Sequence, residues 1–329
     1  MAVTVLLGKA GSGKSTQCYR EIQACAAAGG KALLLVPDQA TYGAERHLAE
    51  HSEGQGFIGT QVVGFSRLAY NVFQERGLAH ASLSELARKI ILQRLLHKGE
   101  KEFSVLQTAA RQPNFADTAG RFLWECRSFC VTPDALRKAA EAVPNPTLSH
   151  KLEDISRLYG AYQDFLADHF GSADDTRPPL AGEVGRYSFL QGAHLCVDGF
   201  PWFTPQQMEI LRQMERVTAQ VTITLTIDEE NLEQQRRETA LFHRAYEVYR
   251  DLKTLFPHLK TTKVAKRPDG PLTVFRDAFF RPVPAEMTQP VSALEIWECS
   301  DRDGEIDSVA RKIAALCHQG YRYRDFLVL

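Results

Sequence analysis

Gly8-Lys9-Ala10-Gly11-Ser12-Gly13-Lys14-Ser15 fits the pattern G-x-x-x-x-G-K-[ST] at every fixed position, and Thr16 follows it. Glycines at this spacing let the backbone curl until successive amides point inward. The helix that follows adds its positive N-terminal end, so the segment is built to hold phosphate oxygens. In such a loop Lys14 reaches the β- and γ-phosphates and Ser15 offers its hydroxyl to Mg²⁺. The residues assigned to ATP are therefore Gly8 through Thr16. The competing reading is a glycine-rich turn with no ligand.

A loop of this kind needs a carboxylate on a neighbouring strand to hold the water shell of the metal. Asp198, at the end of the apolar run Ala193–Val197, is the candidate, and Ser15 and Asp198 are the expected Mg²⁺ residues. An Asp-Gly turn without such a role is the alternative. In hydrolases the next residue is commonly a glutamate that orients the attacking water. Here it is Gly199, which can accept no proton, so no residue is assigned a catalytic role.

The elements that must position these groups are legible as apolar runs. Val3–Leu7, Lys31–Val36, Phe57–Val63, Ala193–Val197 and Val221–Ile227 read as strands buried on both faces of a parallel sheet. A helix over Gln17–Ala28, closed by Gly29 and Gly30, crosses from the first to the second. Thr204-Pro205-Gln206-Gln207 caps a helix that reaches about Arg216. The polar stretch Asp228–Glu238 reads as a solvated loop or helix start. Between the third and fourth strands the character is helical. Ser82-Leu83-Ser84-Glu85 reads as a capping box, Thr132-Pro133-Asp134 as a second helix start. Leu152, Ile155, Tyr159, Tyr162 and Leu166 form one apolar stripe.

The fold class expected is thus α/β: a P-loop RecA-like parallel sheet with a large helical insertion, then the start of a second RecA-like domain. The boundaries are 1–81 for the first part of the sheet domain, 82–175 for the insertion, 176–281 for the return, 282–290 for a proline-rich linker and 291–329 for the second domain. Within that last segment Leu294–Cys299 and Phe326–Leu329 read as strands flanking a helix over Glu305–Cys317. Because the chain stops inside an apolar run, a longer parent protein is expected.

Length and composition bound the reading. The 329 residues carry a formal net charge of −1, with 44% hydrophobic and 24% charged residues. That is a soluble globular balance for about two domains, and it excludes a polybasic, histone-like protein. No apolar run nears the roughly 18–20 residues of a membrane span, so a cytoplasmic location and no membrane partner are expected. Seven cysteines do not make a disulfide framework. Cys126 and Cys130 are spaced to share one helix face as packing residues, with a metal half-site as the weaker reading.

Five segments in order, VTVLLGKAGSGKST, LLLVPDQATYGAE, QVVGFSRLAY, HLCVDGFPWFTPQQMEIL and VARKIAALCHQGYRYRDFLVL, resemble the N-terminal region of AddB. That family is one of the two subunits of the ATP-dependent helicase/deoxyribonuclease of Gram-positive bacteria, and the resemblance spans essentially the whole chain. It implies a superfamily-1 helicase-like architecture, an AddA-type helicase/nuclease subunit as partner, and DNA as substrate. DGFPWFTPQQ stands where active helicases carry a pattern like DEFQDTNPxQ. Asp198, Pro205 and Gln207 are kept, while Gly199 replaces the catalytic glutamate. A second departure is that Val3 enters the P-loop strand with no preceding glutamine segment to read adenine. Both departures imply nucleotide binding with poor motor activity. The family's nuclease site and 4Fe-4S cluster fall beyond Leu329, so no cysteine here belongs to that cluster.

By the same resemblance the segments after the second and third strands face DNA. Gln39, Thr41, Phe65 and Arg67 are the candidates, Phe65 to stack on a base and Arg67 to meet a phosphate. A core Phe65 and a merely solvated Arg67 remain open. The function implied is double-strand-break processing for homologous recombination and Chi recognition. A P-loop kinase or NTPase acting on a small molecule is the alternative.

Overall fold

The computed structural model describes residues 2–50, 59–78, 83–112, 114–170, 180–264, 270, 272 and 293–328. The chain divides into two compact units, Met1–Arg267 and Pro268–Leu329.

Six strands form the sheet of the first unit: β1 (Ala2–Gly8), β2 (Ala32–Leu35), β3 (Thr60–Val63), β4 (His194–Val197), β5 (Gln220–Thr226) and β6 (Lys260–Lys263). Their spatial order is β3-β2-β4-β5-β1-β6, and every pairing is parallel. Parallel neighbours need crossovers, and the crossovers are helices, so both faces are covered and the strands read as unbroken apolar runs. Leu6, Leu34, Val36, Val62 and Cys196 pack under α1 (Lys14–Ala27) and α2 (Thr41–Glu50). On the other face Val5, Leu7, Leu33, Leu35, Val197, Ile223 and Leu225 share a core with Leu68, Val72 and Phe73 of α3 (Phe65–Glu75). The result is a three-layer, RecA-like α/β unit.

Among the described residues between β3 and β4 there is no strand. Helices α4 (Glu85–Gly99), α5 (Gln107–Ala110), α6 (Phe115–Ser128), α7 (Pro133–Ala142) and α8 (Pro146–Phe170) build a separate core. Leu158, Tyr159, Tyr162 and Leu166 of α8 are buried there, with Leu152 and Ile155 packed at its edge. Asp154 on the same helix is fully buried. Its carboxylate accepts from the amides of Ser104 (3.0 Å), Val105 (2.7 Å) and Leu106 (3.0 Å), which pins the chain between α4 and α5. Thr132 caps α7 by accepting from the Ala135 amide at 3.2 Å.

The capping box expected at Ser82 is replaced by a cap two residues later. Ser84 Oγ accepts from the Ala87 amide at 3.1 Å and α4 begins at Glu85, while Ser82 lies outside the described residues. Glu85 is thus the first helical residue, whereas a box from Ser82 requires it to be the third. The one-face placement of Cys126 and Cys130 also fails, because α6 ends at Ser128. Cys130 adopts a left-handed φ of 57°, and the Val131 amide returns to Cys126 O at 2.7 Å, closing a Schellman turn.

The short helix α9 (Leu180–Glu183) leads into β4, and α10 (Pro205–Glu215) and α11 (His243–Leu255) follow β4 and β5. Thr204 and Gln207 form the full reciprocal box at the start of α10, at 3.2 and 2.9 Å. The strand β6 was not expected: Lys260–Lys263 is exposed along its length. It is an edge strand, and lysines there are the usual guard against pairing with another chain.

The second unit holds α12 (Arg302–His318), capped by Asp301 through the Gly304 amide at 2.7 Å. The strands expected at 294–299 and 326–328 are irregular chain instead. A β ladder needs a partner for its amides and carbonyls, and no described residue of this unit supplies one. The linker placed at 282–290 lies outside the described residues. No helix among the described residues is long and apolar enough to cross a membrane.

Candidate nucleotide site

In a parallel sheet all strand ends of one polarity share an edge, and ligands bind beyond the carboxyl ends. Here that edge gathers the loop after β1, Asp198 after β4, Asp228 and Glu229 after β5, and the turns after β2 and β3.

The loop Gly8–Gly13 has its curvature from Gly11 (φ 74°) and Gly13 (φ 94°), backbone angles that cost other residues about 1–2 kcal/mol. Gly8 is required for a different reason: a Cβ there would collide with Val264 O and Ser12 Oγ. Gly13 is the N-cap of α1 and provides no side-chain cap, and the first turn of that helix carries no acidic residue. Its N-terminal amides and positive dipole end are thus directed at the loop without an internal anion.

Lys14 is buried, and its ammonium donates to Gly8 O (2.7 Å), Lys9 O (2.9 Å) and Ser12 Oγ (3.3 Å). Ser15 and Thr16 are exposed at the start of α1. Lys9 is held from the side by two acids. Its amide donates to Glu229 Oε2 at 3.1 Å, and its ammonium pairs with Asp228 Oδ2 at 3.2 Å. Burial alone would raise the Asp228 carboxyl, but hydrogen bonds from Asn231 and Lys9 and the charge on Lys9 outweigh it, leaving it below its ordinary value. Glu229 is fully buried. The polar segment 228–238 is therefore anchored at its start, not solvated throughout.

Asp198 is buried at the end of β4, its amide donating to Leu35 O at 2.9 Å. Its Oδ1 accepts from Thr224 Oγ1 at 2.5 Å. Thr224 sits on β5 in register with Leu6 of β1, so one threonine spans the gap between the aspartate and the P-loop strand. Gly199 has φ +79°. The substitution that removes the glutamate thus comes with a backbone that side chains rarely adopt.

Beyond Asp198, Phe200 meets Phe65 edge-on at 5.5 Å and Phe203 at 5.2 Å. Trp202 stacks on Phe129, from the end of α6, at 6.3 Å, joining this loop to the helical block. Phe65 is half-buried against the sheet core, Arg67 is exposed and pairs with Glu45 at 3.5 Å. Gln39 is exposed in the turn after β2, and Thr41 Oγ1 donates to Asp38 O at 3.0 Å. The four lie on the same edge of the sheet as the P-loop. Sequence reasoning missed Thr224 and Glu229. Neither carries a local signal, since each acts through a partner far along the chain.

The family model described as "ADDB, N-terminal" matches residues 5–273. Curated relatives that align along the whole chain are named as one subunit, AddB in type, of an ATP-dependent helicase/deoxyribonuclease. They include proteins of Pelotomaculum thermopropionicum (34% identical), Desulforamulus reducens (32%) and Bacillus subtilis (30%). The chain spans 30% of the length of each of these relatives. On the match to most of its length, the chain belongs to the AddB N-terminal family.

Proposed function

We propose that this chain is the nucleotide-binding N-terminal region of a subunit of an ATP-dependent helicase/exonuclease, and that it binds ATP–Mg²⁺ without working as an efficient motor. The parent enzyme would process double-strand DNA breaks for homologous recombination and Chi recognition, in the cytoplasm, beside an AddA-type partner. The observation that carries the nucleotide reading is the P-loop itself: left-handed Gly11 and Gly13, buried Lys14, and an uncapped helix N-terminus with no acid in its first turn. This donor set fits a triphosphate, and Ser15 with Asp198 fits its magnesium.

Bound ATP would supply the phosphoanhydride, and Mg²⁺ would screen its charge. The chain's own part is to orient and hold. Gly8–Thr16 offer amides and hydroxyls, Lys14 exchanges loop carbonyls for phosphate oxygens, and Thr224 fixes Asp198. The position after Asp198 has no acceptor for a water proton. General-base assistance contributes typically about 10²–10⁴-fold, so turnover falls well below that of a motor. Residues 82–175 are read as an insertion into the sheet domain, and 291–329 as the opening of a second RecA-like domain. Gln39, Thr41, Phe65 and Arg67 are proposed to meet DNA on the shared edge.

Calorimetric titration of the chain with ATP–Mg²⁺ tests the assignment. Lys14→Ala should lose more than about tenfold in affinity, the cost of a charge-assisted phosphate contact of about 1.5–3 kcal/mol. Equal affinity in the variant would sink it. Phosphate release should stay low with and without single-stranded DNA, whereas robust DNA-stimulated hydrolysis abolished by Lys14→Ala would overturn the non-motor reading.

A further inference from the structure

Behind the nucleotide edge, three groups of metal-binding type converge between α1 and the sheet. Glu21 comes from α1, His194 and Cys196 from β4, and their ligand atoms all lie within 4.8 Å of one another. His194 and Cys196 are two apart on one strand, so they share a face, and Cys196 is in register with Thr222 of β5.

His194 Nε2 is 3.3 Å from Glu21 Oε2, 3.4 Å from Thr222 Oγ1 and 3.7 Å from Cys196 Sγ. None of these is at the 2.7–3.1 Å of a good hydrogen bond, yet all three heteroatoms face one nitrogen. A tetrahedral ion at about 2.0 Å from nitrogen and oxygen and about 2.3 Å from sulfur sets N···O at about 3.3 Å and N···S at about 3.6 Å. The observed spacings are those of a ligand shell.

We infer that Glu21, His194 and Cys196 form a binding site for a borderline-soft divalent cation of the Zn²⁺ class, with solvent completing the tetrahedron. The outer contacts are in place. Gln17 donates to Glu21 Oε1 at 3.1 Å and Thr222 to Oε2 at 2.8 Å, which leaves the carboxylate oriented. The side chains of Glu21 and His194 are 24% and 11% exposed, giving an entry path, while Cys196 is buried. The Cys196 thiol is pushed well above its ordinary value by its hydrogen bond with Cys18 and by burial. On binding, the S–H bond breaks, a sulfur–metal bond forms, and the proton leaves to solvent. The ion would clamp the P-loop helix to the strand that ends at Asp198.

The test is titration of the reduced, chelator-stripped chain with Zn²⁺ by calorimetry and with Co²⁺ by absorption. One equivalent should bind with a thiolate-to-cobalt charge-transfer band. Cys196→Ser should abolish the band, His194→Gln and Glu21→Gln should lose the stoichiometric site, and Thr222→Val should weaken it by about 10–100-fold. Circular dichroism checks that each variant folds. If Cys196→Ser does not, X-ray absorption of the zinc-loaded wild-type chain decides. Sulfur together with nitrogen or oxygen around the ion supports the site, and a shell lacking either overturns it. So does the absence of a bound equivalent, or binding unchanged in His194→Gln and Glu21→Gln.

Discussion

The backbone amide of Lys9 donates to Oε2 of fully buried Glu229 at 3.1 Å, tying the first turn of the P-loop to the end of the strand beside it. Glu229→Gln keeps an acceptor oxygen and should hold the loop. Glu229→Ala leaves a poorly solvated amide and should cost about 1–3 kcal/mol of stability. Chemical denaturation of the two variants side by side checks the difference.

Asp228 makes the second grip on Lys9, and its depressed folded-state pKa fixes a sign. A carboxyl lowered by folding contributes stability that is complete above its ordinary value of 3.8. That contribution is lost as pH falls through the lower, folded-state value. Melting temperature should therefore decline on the acid side less steeply in Asp228→Asn than in the wild type. Identical acid limbs would show that the pair is too solvated to matter.

At Gly199 the structure changes what a simple restoration would do. Gly199→Glu reinstates the missing carboxylate but at φ +79°, which costs about 1–2 kcal/mol. The variant should melt below the wild type and release phosphate no faster. A gain in hydrolysis would mean that the carboxylate alone had been limiting.

Cys130 is the one non-glycine with a left-handed φ among the described residues. It fills the Schellman position after α6 that glycine usually occupies. Cys130→Gly should raise stability by about 1 kcal/mol, read from the denaturation midpoint.

Asp154 predicts the reverse. Its carboxylate takes three amides in a fully buried place, and Asp154→Ala should cost about 3 kcal/mol or more, with the loss centred on the helical block. Hydrogen exchange of the 103–106 amides against those of β1 would localise it.

What was legible beforehand was what is written locally. The P-loop glycines, the apolar runs of β1, β2, β4 and β5, and the Thr204 box each carry their signal within a few residues. The failures share one physical cause: the deciding partner is remote. Lys260–Lys263 is a strand only because Leu7 and its neighbours offer a ladder. Glu229 is buried only because Lys9 arrives 220 positions away along the chain. Residues 294–299 have the composition of a strand but no neighbour among the described residues of their unit. Ser82 and Ser84 compete for one helix start, and composition does not choose between them.

The strand order also dictates a sequence of events during synthesis. β1 and β2 are separated in the sheet by β4 and β5, which come far later in the chain. Until Thr226 has been made, the P-loop strand has neither of its neighbours, and β2 exposes an unpaired edge. At ribosomal speeds of about 5–20 residues per second, the wait from β2 to β5 is on the order of ten seconds. During that wait the helical block, whose contacts are short-range, can collapse on its own core. The nascent chain thus carries a folded helical bundle above a half-built sheet with two open edges. That half-built sheet is the form most in need of a chaperone, and substitutions in β4 or β5 should lower yield more than their effect on the finished fold would indicate.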